Sequence, residues 1–177
     1  MNRQRYWTIV VMFFPLAITR AEVVDSSAAG FTVRESVTVE ATAERAYTSV
    51  VQDIGKWWDS SHTYSGKSEN LSIDATAGGC FCEKLPGGGV RHMVVVLAIP
   101  GKFLRLSGAL GPLQALAVTG SMTWTFTTDA EKTKLEVSYA VGGYSPGGLQ
   151  KIAPAVDRVL AEQLERYVRF VETGKPK

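Results

Sequence analysis

Glu35, Glu83 and His92 are the residues of this chain best placed, by type and surroundings, for acid–base chemistry. Glu35 lies among Phe31, Val33, Val37 and Val39, which alternate as on a half-buried strand. Side chains on a strand repeat every two residues, so Glu35 shares the apolar face. Either a bulge or an edge position moves it outward, or a carboxylate points inside. Glu83 occupies the short strand expected over Cys80–Leu85. A carboxylate in an apolar cavity has a raised pKa and serves as a general acid, which a cyclase or dehydratase requires. His92, Arg105, Gln114 and Tyr139 are further polar residues within apolar stretches, suited to orienting a ligand in an apolar pocket.

Cys80 and Cys82 are the only cysteines, and His62 and His92 the only histidines. On a strand the two cysteines share a face with Cα atoms roughly 6.6 Å apart. That is near the upper limit for a disulfide, so a bridge needs a pucker or bulge. Three states stay open: buried thiols, a strained bridge, or a soft-metal site that His92 would complete and copper(I) would suit. No cofactor is expected. Gly87-Gly88-Gly89 reads as a hairpin turn, because no helix follows to cradle a phosphate. Nothing in the spacing supports a catalytic triad through His62 or His92.

These residues need a scaffold, and its elements are legible. Thr42 caps a helix whose apolar face holds Ala46, Tyr47, Val50, Val51 and Ile54, with Gly55 as its stop. Trp57-Trp58 follow, then a polar loop over 59–69. From Asn70 the pattern becomes β: Leu71–Ala75, Cys80–Leu85, Val90–Ile99, Phe103–Gly108, Gly120–Thr128 and Lys134–Val141, with short turns between. Short links leave antiparallel pairing as the easy choice. Ala109–Val118 is apolar but carries Gly111 and Pro112, and reads as either a lid or a packed crossing loop. From Pro154 to Glu172 apolar residues recur at three- and four-residue steps, including Val156, Leu160 and Leu164. A helix of that length, apolar on one side, must lie across a sheet. The expected class is α+β: a curved antiparallel sheet of about seven strands wrapped around a long C-terminal helix.

That order resembles the START-like (SRPBCC) superfamily with its helix-grip fold, and within it the polyketide cyclase/dehydrase and heat-shock-protein-90 ATPase activator-like group. The opening strand with Ala41–Tyr47, then Trp57-Trp58, carries the likeness. So do Val94–Pro100 followed by Phe103–Leu106, Met122–Phe126, and the closing helix. The resemblance implies a cavity for apolar ligands and no shared catalytic set. Facing and family likeness together select Trp57, Val94, Val96, Leu104, Leu106, Leu113, Leu116, Trp124, Tyr139, Val156, Leu160 and Leu164 as its lining. The expected partner is a hydrophobic small molecule or lipid. A cyclase or dehydratase using a buried carboxylate is the alternative, and soft-metal binding a third.

The N-terminus departs from that group. Arg3 and Arg5, an apolar run from Trp7 to Ile18, and Thr19-Arg20-Ala21 make a secretion signal over residues 1–21. The run falls short of the ~20 residues a membrane span needs. Residues 22–30 read as a flexible lead-in and 31–173 as one domain. An exported, periplasmic protein with no stable membrane span after cleavage is the expectation. A chaperone-assisting role would find no client there. The leader holds three of the 19 basic residues and none of the 17 acidic ones, which leaves 16 against 17, a net of −1. The remaining chain therefore lacks the basic signature of nucleic-acid binding.

Overall fold

The computed structural model describes residues 22–177. The expected leader lies outside the described residues. Eight strands form one antiparallel sheet: β1 (Glu22–Ser27), β2 (Gly30–Val39), β3 (Leu71–Ile73), β4 (Cys80–Leu85), β5 (Gly88–Ile99), β6 (Phe103–Gly108), β7 (Ala117–Asp129) and β8 (Lys132–Tyr144). Their spatial order is β1-β2-β8-β7-β6-β5-β4-β3. From β3 to β8 the sheet is a meander, as short links dictate, and β8 returns to pair with β2.

The strand beyond the expected seven is β1, which occupies the stretch read as a lead-in. It is mostly exposed and pairs with β2 from Glu22↔Arg34 to Ser27↔Gly30. An exposed edge strand carries no apolar alternation, so backbone pairing alone defines it.

Two helices cover the inner face. Helix α1 (Ala43–Trp57) is capped as expected: the Thr42 hydroxyl accepts the Arg45 N–H at 3.3 Å. Helix α2 (Ala153–Thr173) spans about 31 Å and ends at Gly174, whose φ of 75° suits a residue without Cβ. Leu160, Leu164, Tyr167 and Phe170 make its buried stripe. Polar contacts fix α2 to both ends of α1 and to the residue that follows Trp58. Tyr167 donates to the Ala46 carbonyl at 2.9 Å, Arg166 Nε to the Trp57 carbonyl at 2.8 Å, and the Asp59 N–H to Gln163 Oε1 at 2.7 Å. No helix among the described residues is long and apolar enough to cross a membrane.

The core lies between α1, α2 and the sheet. Leu104, Leu106, Met122, Trp124, Leu135 and Val137 point into it. So does Glu35. β2 pairs with β8 without interruption, so no bulge turns its carboxylate outward. The side chain is fully buried.

Candidate functional site

The packing is incomplete at one end of the groove. A cavity of about 410 Å³ lies between the start of α2, the loop after α1, and the inner faces of β4, β5 and β8. That volume is within the roughly 300–1,000 Å³ typical of small-molecule sites. Trp58, Leu71, Phe81, Leu113, Leu116, Tyr139, Ile152, Val156 and Leu160 supply most of its wall. A short 3-10 helix, Gly111–Ala115, closes one side. It falls in the apolar stretch read as a lid or crossing loop.

The structure separates the expected lining residues into three groups. Leu113, Leu116, Tyr139, Val156 and Leu160 border the cavity. Trp57, Leu104, Leu106, Trp124 and Leu164 are buried in the core instead. Trp57 ends α1 on the helix's buried face with Val50 and Ile54, donates Nε1–H to the Ser49 carbonyl, and packs edge-on against Tyr167. Trp58 is the first residue off the helix, and its extended backbone carries the ring to Phe81 and the cavity. Val94 and Val96 leave the inner face that Met93 and Val95 occupy, and Val96 is 50% exposed. Arg105 is exposed as well, donating to Thr123 Oγ1.

Sequence reasoning did not single out Phe81 or Tyr64 for the wall. Phe81 was accessible through period two, because it shares a strand face with Glu83. Tyr64 sits in a polar loop, and no periodicity marks it.

The polar candidates Glu83, His92 and Gln114 converge. A β-bulge brings this about. Phe81 pairs with Met93 and Cys82 with Arg91, so His92 is an extra residue on β5. Strict alternation would face it outward, opposite Met93. The bulge turns it inward, as bulges often do beside functional sites. His92 Nε2 then lies 3.1 Å from Glu83 Oε2. Its other nitrogen, Nδ1, lies 3.3 Å from the Gln114 amide nitrogen. The Glu83 carboxylate also accepts the backbone N–H groups of Tyr64 and Ser65. Tyr64 lies against the His92 ring and donates its hydroxyl to the Gly111 carbonyl at 2.9 Å.

The electrostatics follow from these partners. Burial acts to raise the Glu83 pKa, but hydrogen bonds from Ser65, Tyr64 and His92 outweigh it and hold the carboxyl below its usual range. Burial pushes His92 down, against the opposing pull of Glu83. A neutral imidazole facing a carboxylate carries its proton on Nε2 and leaves Nδ1 as an acceptor for Gln114. Glu83 is therefore an anion that orients His92, not the proton donor a raised pKa would make it. Glu35 has the raised pKa: burial first, then the neighbouring Asp157 of α2, push it up to about 8. It does not border the cavity.

Cys80 and Cys82 are joined in a disulfide, with Cα atoms 5.4 Å apart. They alternate with Phe81 and Glu83, so they lie off the inner face, away from His92. Among the described residues no group of three metal-ligating side chains occurs. The β4 backbone is contracted relative to an ideal strand, and the bulge at His92 lies opposite it.

Solved structures share this fold. A conserved protein of Enterococcus faecalis, EF2215, superposes with a TM-score of 0.59 at 13% identity, over 90% of this chain and 78% of that one. The Aha1 protein of Colwellia psychrerythraea, solved as a dimer, gives 0.59 at 16% identity, over 81% and 98%. DynU16, from the dynemicin biosynthetic locus, gives 0.58 at 22% identity, over 82% of this chain but 48% of its own length. Identities this low support the fold alone. No curated protein matches by sequence. Residues 30–172 match the family described as polyketide cyclase / dehydrase and lipid transport, a span that takes in both helices and the sheet from β2 to β8. The chain belongs to that family, within the START-like superfamily of helix-grip proteins.

Proposed function

We propose that this protein binds a hydrophobic small molecule in the cavity under the Gly111–Ala115 segment. The observation that carries the reading is a largely apolar cavity of about 410 Å³ with a few polar groups, Tyr64, His92 and Tyr139 among them, in its wall. Burial of an apolar ligand there is favourable at roughly 25 cal/mol per Å². Native mass spectrometry of protein purified from the producing cell, followed by solvent extraction, tests it. A stoichiometric apolar passenger, or saturable uptake of one by the emptied protein, is expected. Failure of every apolar probe to bind the emptied protein would overturn the reading.

The Glu83–His92 pair favours a second reading, an acid–base enzyme of cyclase or dehydratase type. His92 would be the base, with Glu83 holding its tautomer. Neither Glu83 nor Glu35 suits the acid role: one is held ionised and the other lies away from the cavity. Turnover surviving in His92→Phe would remove this reading.

We also propose that the domain works outside the cytoplasm, on the strength of the basic, apolar and small-residue order over 1–21. The N-terminal mass of the protein recovered from the periplasm tests cleavage after Ala21.

A further inference from the structure

The cavity wall is unevenly supplied with hydrogen-bonding capacity. Its hydroxyl protons are committed within the protein. Ser61 donates to Asp59, Thr63 to the Ser60 carbonyl, Tyr64 to the Gly111 carbonyl and Tyr139 to the Gly108 carbonyl. The Trp58 Nε1–H goes to the His62 carbonyl, and the His92 Nε2–H to Glu83. What remains is acceptor capacity, above all His92 Nδ1. Its present partner is the amide of Gln114, an exposed residue on the short 3-10 helix, at a long 3.3 Å. No lysine or arginine lines the cavity among the described residues. His62, the other imidazole, is an exposed residue that faces Glu162 at 3.5 Å.

We propose that the cavity selects neutral apolar molecules ending in a hydroxyl group, alcohols or phenols, whose O–H donates to His92 Nδ1 in place of Gln114, and that it rejects carboxylates. This rests on the cavity being the ligand site. A carboxylate is an acceptor only, and the hydroxyl, indole and imidazole N–H donors of this wall are already directed at partners within the protein. Its charge would also be taken out of water without a cation, beside the Glu83 anion. An alcohol meets neither obstacle, and its hydroxyl replaces an amide that is free to return to solvent.

Isothermal titration of the purified protein with naphthalene, 2-naphthol and 2-naphthoate at neutral pH tests the inference. The three share one ring system and differ in the end group. Naphthol is expected to bind about tenfold tighter than naphthalene, the ratio one well-made hydrogen bond supplies, and naphthoate weakest of the three. Naphthol no tighter than naphthalene, or naphthoate as tight as naphthol, overturns the inference and leaves the cavity reading standing. No binding by any of the three, nor by 1-decanol, counts against the cavity reading itself. In His92→Phe, with unchanged circular dichroism, naphthol is expected to fall to the level of naphthalene. Retained preference for naphthol would remove His92 as its acceptor. If that variant fails to fold because Glu83 loses its partner, the double variant Glu83→Gln, His92→Phe carries the same expectation.

Discussion

His92 faces Glu83 because β5 holds one residue more than β4 at their junction. Nε2 and Oε2 come to 3.1 Å only through that bulge. Glu83 in turn anchors the loop after α1, accepting the N–H groups of Tyr64 and Ser65. One carboxylate therefore organises a base, a loop and the wall of the cavity.

Replacing Glu83 by Gln keeps the shape and removes the charge. One of the three hydrogen atoms now directed at the carboxylate would meet an amide N–H₂. A loss of about 2 kcal/mol in urea unfolding is expected, within the range for a buried donor left unpaired. Hydrogen exchange at Tyr64 and Ser65 should quicken with it. Unchanged exchange at both amides would show that the loop is held by other contacts.

The disulfide couples to the site through Phe81. Cys80 and Cys82 flank Phe81, whose ring packs against His92 at 5.1 Å and Trp58 at 6.0 Å. Opening the bridge frees the contracted β4 backbone opposite the bulge. Reduction is expected to weaken binding of an apolar fluorescent probe several-fold. Cys82→Ser should bind like the reduced protein and ignore the reductant. Equal affinity in both redox states would separate the disulfide from the cavity.

Glu35 makes stability depend on pH. Its pKa is raised from the ordinary 4.5 to about 8, first by burial and then by Asp157. The folded state holds this proton more tightly than the unfolded state does. The stability so gained is complete below about pH 4.5 and is lost as pH rises towards 8. Both Glu35 oxygens and Asp157 Oδ1 otherwise have no partner, and a proton shared between the two carboxyls satisfies one Glu35 oxygen and the Asp157 oxygen. Glu35→Gln should flatten the decline between pH 5 and 9 in chemical unfolding. A decline as steep as in the parent protein would place its origin in other groups.

Two valines that sequence reasoning treated alike should behave differently. Val156 borders the cavity and Val96 is half exposed on the sheet. Val156→Asp puts a charge in the wall and is expected to lower ligand affinity at least tenfold, since an unpaired charge in an apolar site is costly. Val96→Asp should change neither affinity nor stability by more than about 0.5 kcal/mol, as for ordinary surface substitutions. Equal effects in titration would mean that the ligand lies elsewhere.

The sequence by itself determined the frame. Period-two alternation, turn residues and the long stripe through Val156, Leu160 and Leu164 specify an antiparallel sheet under a helix, because each pattern reports a local backbone period. The Thr42 cap and the nature of Glu83, His92 and Gln114 as polar residues in apolar company were readable in the same way. Only the tertiary structure decided what faces what. A single bulge reverses the side of His92, and one step off a helix exchanges Trp58 for Trp57 in the wall. β1 exists because an edge was open for it to pair with. Glu35, on an unbroken strand, points inside but meets Asp157 and not the cavity. Apart from β1, each outcome turns on a one-residue shift in register or on a partner more than a hundred residues away, and neither leaves a trace in local periodicity.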